Sequence, residues 1–352
     1  MKRYSHLFEK VCEMDNLRLA HKNAQKGKKH YREVKKVNKC PERYLREIQR
    51  ILKAKEYSTS KYETVVMKTS NGKVRTISKL PYFPDRIIQH AIMQITEPLW
   101  FKTLIRDTYS AIKGRGVHDG VRRLIKSLKD KSSTIYCLKL DIKKYYPSIN
   151  NNILKKVIRQ KIKDKDLLWL LDDVIDASEG VPIGNYLSQY FGNLYLSEFD
   201  HWMKEKQKIK HYFRYCDDVV VLHSDKAFLH SLYQRTERFL DKTRDLCVKE
   251  NWQIFPVEAR GIDFLGYVFY HDYTLLRKSI KMKFRKKIST IKRRWKAMSA
   301  ETVINSVMSY YGWLKHANCK NLFNKYLDDN IYWIVKQKAK EIGIKNPLMG
   351  IR

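Results

Sequence analysis

Two adjacent acids, Asp217 and Asp218, interrupt a stretch otherwise built for a sheet: His211-Tyr212-Phe213 leads into Tyr215-Cys216, and the unbroken apolar run Val219-Val220-Val221-Leu222 follows. β-Branched and aromatic residues on both sides of a short polar break predict a tight hairpin, with at least one acid facing outward at its tip. At about 4 Å and an effective dielectric near 20, two such charges repel by roughly 4 kcal/mol, so a positive charge belongs beside them. A merely polar turn is the plain reading of an Asp-Asp pair. A divalent metal is the chemical one, because paired ions stabilise the attacking and leaving oxygens of phosphoryl transfer. A third acid favours the chemical reading: Asp141 ends the β-type run Thr134–Leu140, and Tyr145-Tyr146-Pro147-Ser148 follows it. An acid leaving a strand end beside an acidic hairpin makes a carboxylate cluster at one sheet edge, suited to hard cations with oxygen ligands.

The remaining composition says what such a cluster would act on. Across 352 residues, 72 Lys and Arg face 37 Asp and Glu, a formal charge of +35. That excess is far beyond what solubility needs and points to a polyanion, with nucleic acid the economical choice. It is concentrated at the ends, with 17 basic and 7 acidic residues in 1–60 and 19 and 5 in 271–352. No long uncharged apolar run or signal peptide is visible, so no membrane partner is expected. Cys12, Cys40, Cys137, Cys216, Cys247 and Cys319 show no short paired spacing, which predicts a reduced, cytoplasmic protein without a zinc site or disulfide framework.

Periodicity divides the chain into a basic helical N-terminal extension (1–60), a mixed region (61–277) and a basic helical C-terminal segment (278–352). Pro41 opens a helix through Tyr44, Leu45, Ile48 and Ile51. Tyr62–Val66 and Val74–Ser78 read as strands joined by Ser70-Asn71-Gly72, with Lys73 and Arg75 projecting from the tip. Residues 84–130 read mainly as helices, broken at Gly114-Arg115-Gly116; Ile153–Ile175, Tyr190–Met203 and Leu229–Leu246 are also helical in period. Near the end, Ile280, Phe284, Ile288, Ile291 and Trp295 form one apolar stripe, and Lys and Arg cover the rest of that helix. Like charges at i,i+4 are mutually unfavourable, so a one-signed surface argues for phosphate binding.

In sequence order, these blocks resemble those of reverse transcriptases over about residues 60 to 330. Leu138–Ile149 resembles motif A, Gly180–Asn193 motif B, Phe213–Leu222 motif C and Phe264-Leu265-Gly266-Tyr267 the primer-grip hairpin. Gly72-Lys73-Val74-Arg75 with Pro84–Ala91 is similar to the fingers motifs of bacterial retroelement enzymes, and Ser309–His316 to their thumb. The resemblance implies an α+β right-hand polymerase fold, with fingers and palm over 61–277 and an α-helical thumb over 278–352. It implies two Mg2+ ions, with Mn2+ a substitute, held by Asp141, the backbone of Ile142, Asp217 and, as a less regular ligand, Asp218. Lys73, Arg75, Tyr146, Ile183 and Gly184 would meet the nucleotide. Arg86, Arg115, Ser188, Gln189, Leu265, Gly266, Lys283, Lys287 and Arg294 would meet template or primer.

Motif B narrows the branch. Most relatives have Gln-Gly followed closely by Ser-Pro, whereas this chain reads Ile183-Gly184-Asn185-Tyr186-Leu187-Ser188-Gln189, the form that resembles diversity-generating retroelement enzymes. Those copy a template-repeat RNA into cDNA with errors at adenines and work with an oligomeric accessory variability determinant. Tyr146, five residues after Asp141, stands where the family places the aromatic that excludes ribonucleotides. Expected partners are therefore template-repeat RNA, the RNA/cDNA duplex, dNTPs and the accessory protein. Retron, abortive-infection and group II intron enzymes, or a non-catalytic RNA-binding scaffold of the same fold, are the alternatives.

Overall fold

The structure, a computed structural model, describes residues 3–68, 72 and 74–349. Lys73 and the turn residues Ser70 and Asn71 lie outside the described residues. The N-terminal helices are α1 (Phe8–Cys12), α2 (Met14–Ala24), α3 (Arg32–Lys39) and α4 (Pro41–Lys53); strands β1 (Glu63–Lys68) and β2 (Val74–Lys79) follow. Helices α5 (Ile87–Phe101) and α6 (Val117–Leu128) then lead to β3 (Tyr136–Asp141), α7 (Asn151–Arg159), α8 (Lys165–Asp176), α9 (Ser188–Tyr195) and α10 (Ser197–His201). Next come β4 (His211–Tyr215), β5 (Asp218–His223), α11 (Lys226–Arg244), β6 (Gln253–Pro256) and α12 (Val257–Arg260). The chain finishes with β7 (Ile262–Phe264), β8 (Tyr267–Phe269), β9 (Thr274–Leu276), α13 (Lys278–Arg294), α14 (Ala300–Leu314), α15 (Lys320–Tyr326) and α16 (Asp329–Glu341). The architecture is α+β.

Three sheets form: β1-β2, a four-stranded sheet in the order β4-β5-β3-β6, and β7-β8-β9. Burial along β4 and β5 is nearly continuous from His211 to Leu222, as in strands covered on both faces. Short polar residues start several helices: Asn150 caps α7, Asp164 α8, Ser299 α14 and Asp328 α16, each accepting from amides of the first turn. The Asp164 cap explains why the helical period over 153–175 resolves into two helices, α7 and α8. Asp85, fully buried, accepts from the Tyr57 and Ser60 hydroxyls and the Ser60 amide, which fixes the approach to β1.

Two compact units are present, one of residues 1–113, 140–219 and 230–252, the other of 114–139, 220–229 and 253–352. The expected boundaries at 60 and 277 differ from this division. Residues 1–60 belong to the first unit because α2 buries Leu17, Ala20 and Ala24 and packs on α5. In the second unit α13 buries Phe284, Ile288 and Ile291 and packs on α14 and α16.

Candidate active site

The acidic turn is held from within the first unit. Cys216 and Asp217 link β4 to β5, and Cys216 takes φ +58°, the positive-φ position of a primed hairpin turn. Below it Arg214, fully buried, donates from Nη1 to the Cys216 carbonyl at 2.8 Å and from Nε to Asp200 at 2.6 Å. The Tyr212 hydroxyl (2.6 Å) and the Thr108 hydroxyl (3.1 Å) also donate to Asp200. Burial opposes a charged guanidinium, but the Asp200 carboxylate outweighs it and keeps Arg214 charged. Removing either partner of such a buried pair costs about 3–5 kcal/mol, since the other charge is stranded. An arginine inside an otherwise apolar strand was the one signal in the sequence for this support, because a buried charge demands a partner.

Asp141 closes β3, and Asp217 faces it. Burial first, then the Asp141 charge and a hydrogen bond to Asp141, raise the Asp217 pKa above the usual carboxylate range. Asp141 Oδ1 is buried and has no hydrogen-bond partner, while Oδ2 receives Lys249 Nζ at 2.7 Å. Backbone pairing places that lysine: Ile142 bridges Val248, with bonds from the Lys249 amide to the Asp141 carbonyl and from the Lys143 amide to the Cys247 carbonyl. Both bonds belong to the neighbours of Ile142, so its own N–H and C=O point away from Val248. Among the described residues no three His, Cys, Asp or Glu side chains meet to hold one ion. Asp141 and Asp217 form a facing pair. Asp218 begins β5, where successive side chains take opposite faces.

A buried carboxylate oxygen with no partner, beside a second carboxyl that is costly to charge, fits a hard divalent cation with oxygen ligands. Lys249, which sequence reasoning missed, supplies part of that positive charge in the structure. Its only sequence signal is the short alternating run Cys247-Val248-Lys249.

Around the pair, the loop ahead of α9 is tied down on both sides. The Val181 amide donates to the Tyr146 carbonyl at 2.9 Å, and the Ser78 amide to the Ile183 carbonyl at 2.8 Å. Gly180 and Gly184, at φ +64° and +126°, lie where a Cβ would come within 2.5 Å of the Pro147 and Ser78 carbonyl oxygens respectively. The close approach that Gly184 permits is therefore to β2. Tyr146 stands against the acidic turn: its hydroxyl accepts from Cys216 Sγ at 3.2 Å, and its ring would meet a Cβ at Gly192 at 3.1 Å. Ile183 is half-buried, and Arg75 and Gln189 are exposed.

Several residues expected at nucleic acid make contacts within the protein. Ser188 is buried, and its hydroxyl donates to the Pro182 carbonyl at 2.6 Å, closing the loop rather than reaching outward. Arg86 is half-buried with Nε 3.3 Å from the Ala24 carbonyl, and burial lowers its pKa. In the second unit the Leu265-Gly266 turn is packed inward: Leu265 is buried, and a Cβ on Gly266 would lie 2.6 Å from the Trp313 ring. Arg115, half-exposed, precedes α6; Lys283 and Arg294 are exposed on α13, with Lys287 half-exposed. Among the described residues no helix is long and apolar enough to cross a membrane.

Comparison with known proteins adds four findings. The family described as reverse transcriptase (RNA-dependent DNA polymerase) matches residues 66–269. Protein YkfC of Escherichia coli strain K12 is 29% identical over 208 residues, 55% of this chain and 50% of that protein, so the chain spans half the length of this curated relative. Apo telomerase from Candida tropicalis superposes with a TM-score of 0.49 at 15% identity, covering 81% of this chain and 64% of that one. Telomerase from Candida albicans in complex with a fragment of telomeric RNA gives 0.48 at 10% identity, covering 82% and 61%.

Proposed function

The chain belongs to the reverse transcriptase (RNA-dependent DNA polymerase) family, and from that membership we propose that it extends a DNA strand on an RNA template, with Asp141 and Asp217 at the reacting centre. Its α+β architecture is the right-hand polymerase fold of that family. The observation that carries the proposal is the meeting of the two carboxyl groups, one from a strand end and one from a hairpin turn, with an oxygen left unpartnered.

Asp141, Asp217 and the backbone of Ile142 would hold the divalent ions, Mg2+ or in its place Mn2+, with Asp218 supporting from β5. When bound, such ions neutralise the charge that develops on the attacking and leaving oxygens. The residues themselves orient and exclude. Arg214 and Asp200 keep the hairpin, and hence Asp217, in one position. Tyr146, packed against that turn, crowds the sugar 2′ side of a dNTP, while Arg75 and Lys73 grip triphosphate oxygens. Gln189 and the cationic face of α13 take the template and the RNA/cDNA duplex.

Within the family, Ile183-Gly184 and Ser188-Gln189 support the diversity-generating branch: adenine-mutagenic cDNA made from a template-repeat RNA, in company with an oligomeric accessory variability determinant. An apolar wall discriminates weakly between base pairs, whereas a polar residue with a stringent partner rejects the wrong one by large factors. Ile183→Gln should therefore lower misincorporation opposite template adenine.

Sequencing cDNA made on an RNA template containing all four bases tests both levels. Synthesis should occur, should fall by at least roughly a thousand-fold in Asp217→Asn, and should carry errors concentrated at adenine that Ile183→Gln reduces. Undiminished synthesis by Asp217→Asn removes the catalytic assignment. An even error spectrum removes the mutagenic branch and leaves the polymerase.

A further inference from the structure

A cluster of basic groups in the second unit has no part in the chemistry above. His118, in the first turn of α6, and His316, just past the end of α14, have ring centroids 4.4 Å apart and planes 30° from parallel. The Trp313 indole meets the His118 ring edge-on at 6.0 Å. Burial, then Lys315 and Arg122, lower the His118 pKa; burial, then His118, Lys315 and Arg122, push that of His316 down to about 4. An acid on the same helix, Asp119, lies 3.6 Å from the Arg122 guanidinium. His118 Nδ1 is buried without a hydrogen-bond partner.

Two imidazoles side by side near Lys315 and Arg122 resist protonation, and with Asp119 as the neighbouring acid the group carries a net positive charge. A shared metal ion fits poorly. A chelated ion lies in the plane of each imidazole on a nitrogen lone pair, and nearly parallel rings aim their lone pairs side by side rather than at one point. An anion fits better, because it accepts from a ring N–H and compensates Lys315 and Arg122 together.

We propose that His118 and His316, with Lys315 and Arg122, bind a phosphodiester of a nucleic-acid strand, and that the histidine pair takes up protons as it binds. The choice of a strand over a free phosphate rests on the nucleic-acid reading above, and on the cationic face of α13 within the same unit. The sign follows from the charges. Bound phosphate favours the protonated rings, so affinity rises as pH falls towards the range where histidine titrates.

The test uses the full chain, a fluorescent primer–template duplex and constant ionic strength. Wild-type affinity should rise about ten-fold between about pH 8 and pH 6, and the double substitution His118→Gln with His316→Gln should flatten that slope and weaken binding about five-fold at pH 6. Calorimetry of the wild type in two buffers should show net proton uptake, and the duplex should shield both histidines from diethylpyrocarbonate; these two readouts decide the matter if the substituted chain does not fold. An unchanged slope and affinity in a folded variant overturns the proposal. So does binding that tightens only with Zn2+, or shielding by millimolar inorganic phosphate but not by the duplex. Primer extension by the unsubstituted chain, run in parallel, separates the two levels: extension without a histidine effect removes this site alone, and a histidine effect without extension removes the polymerase reading alone.

Discussion

Lys249 and Asp141 show how one side chain tunes another at short range. Their contact at 2.7 Å is half-exposed on both sides, so its strength is about 0–1 kcal/mol rather than the several expected for a dry pair. A divalent ion entering beside Asp141 must compete with that ammonium group. Lys249→Met should tighten Mn2+ binding about two- to five-fold, read by electron spin resonance of the free ion. Unchanged or weaker binding would show that Lys249 does not compete. The same residue shows a limit of linear reading: nothing in Cys247-Val248-Lys249 says that a two-bond bridge to Ile142 lays this lysine over Asp141. Asp141 and Asp217 were legible as candidates because charged residues at the ends of apolar β-type runs need a reason to be there.

At the scale of elements, glycine geometry separates backbone contacts from open space. Gly184 combines φ +126° with a 2.5 Å approach to the Ser78 carbonyl, whereas Gly312, inside α14, has nothing within 4 Å of its would-be Cβ. Gly184→Ala should cost about 1–3 kcal/mol and lower the melting temperature by several degrees. Gly312→Ala should be neutral or stabilising by up to about 1 kcal/mol, since alanine favours helix. Equal shifts for the two, measured by thermal melting, would refute a tethered motif B loop. Strands β1, β2, β4 and β5 were legible in advance from composition and turns, as was the amphipathic stripe of α13. Ser188 and the Leu265-Gly266 turn were expected at template or primer; a polar residue or a turn looks the same in one dimension whether it packs within the fold or reaches a ligand, and the contacts they make in the fold, to Pro182 and Trp313, are not legible there.

For the whole molecule, charge is the dominant quantity. A formal +35 with the excess at both ends predicts binding to RNA or duplex that falls steeply with salt, the log–log slope growing by about −0.9 for each phosphate neutralised on a duplex. Titration of affinity between about 50 and 200 mM salt should lose roughly a thousand-fold if six or more phosphates are engaged. A flat response would contradict the basic-surface reading. The order of motifs is a property of the linear chain, and it sufficed for the fold class, because local pattern needs no partner from elsewhere. The tertiary structure alone decided which acids face each other, that Lys249 covers Asp141, that residues 1–60 complete the first unit, and that His118 meets His316. Each of those rests on contacts between segments far apart in the chain, whose energies depend on distance and burial that no spacing along the chain encodes.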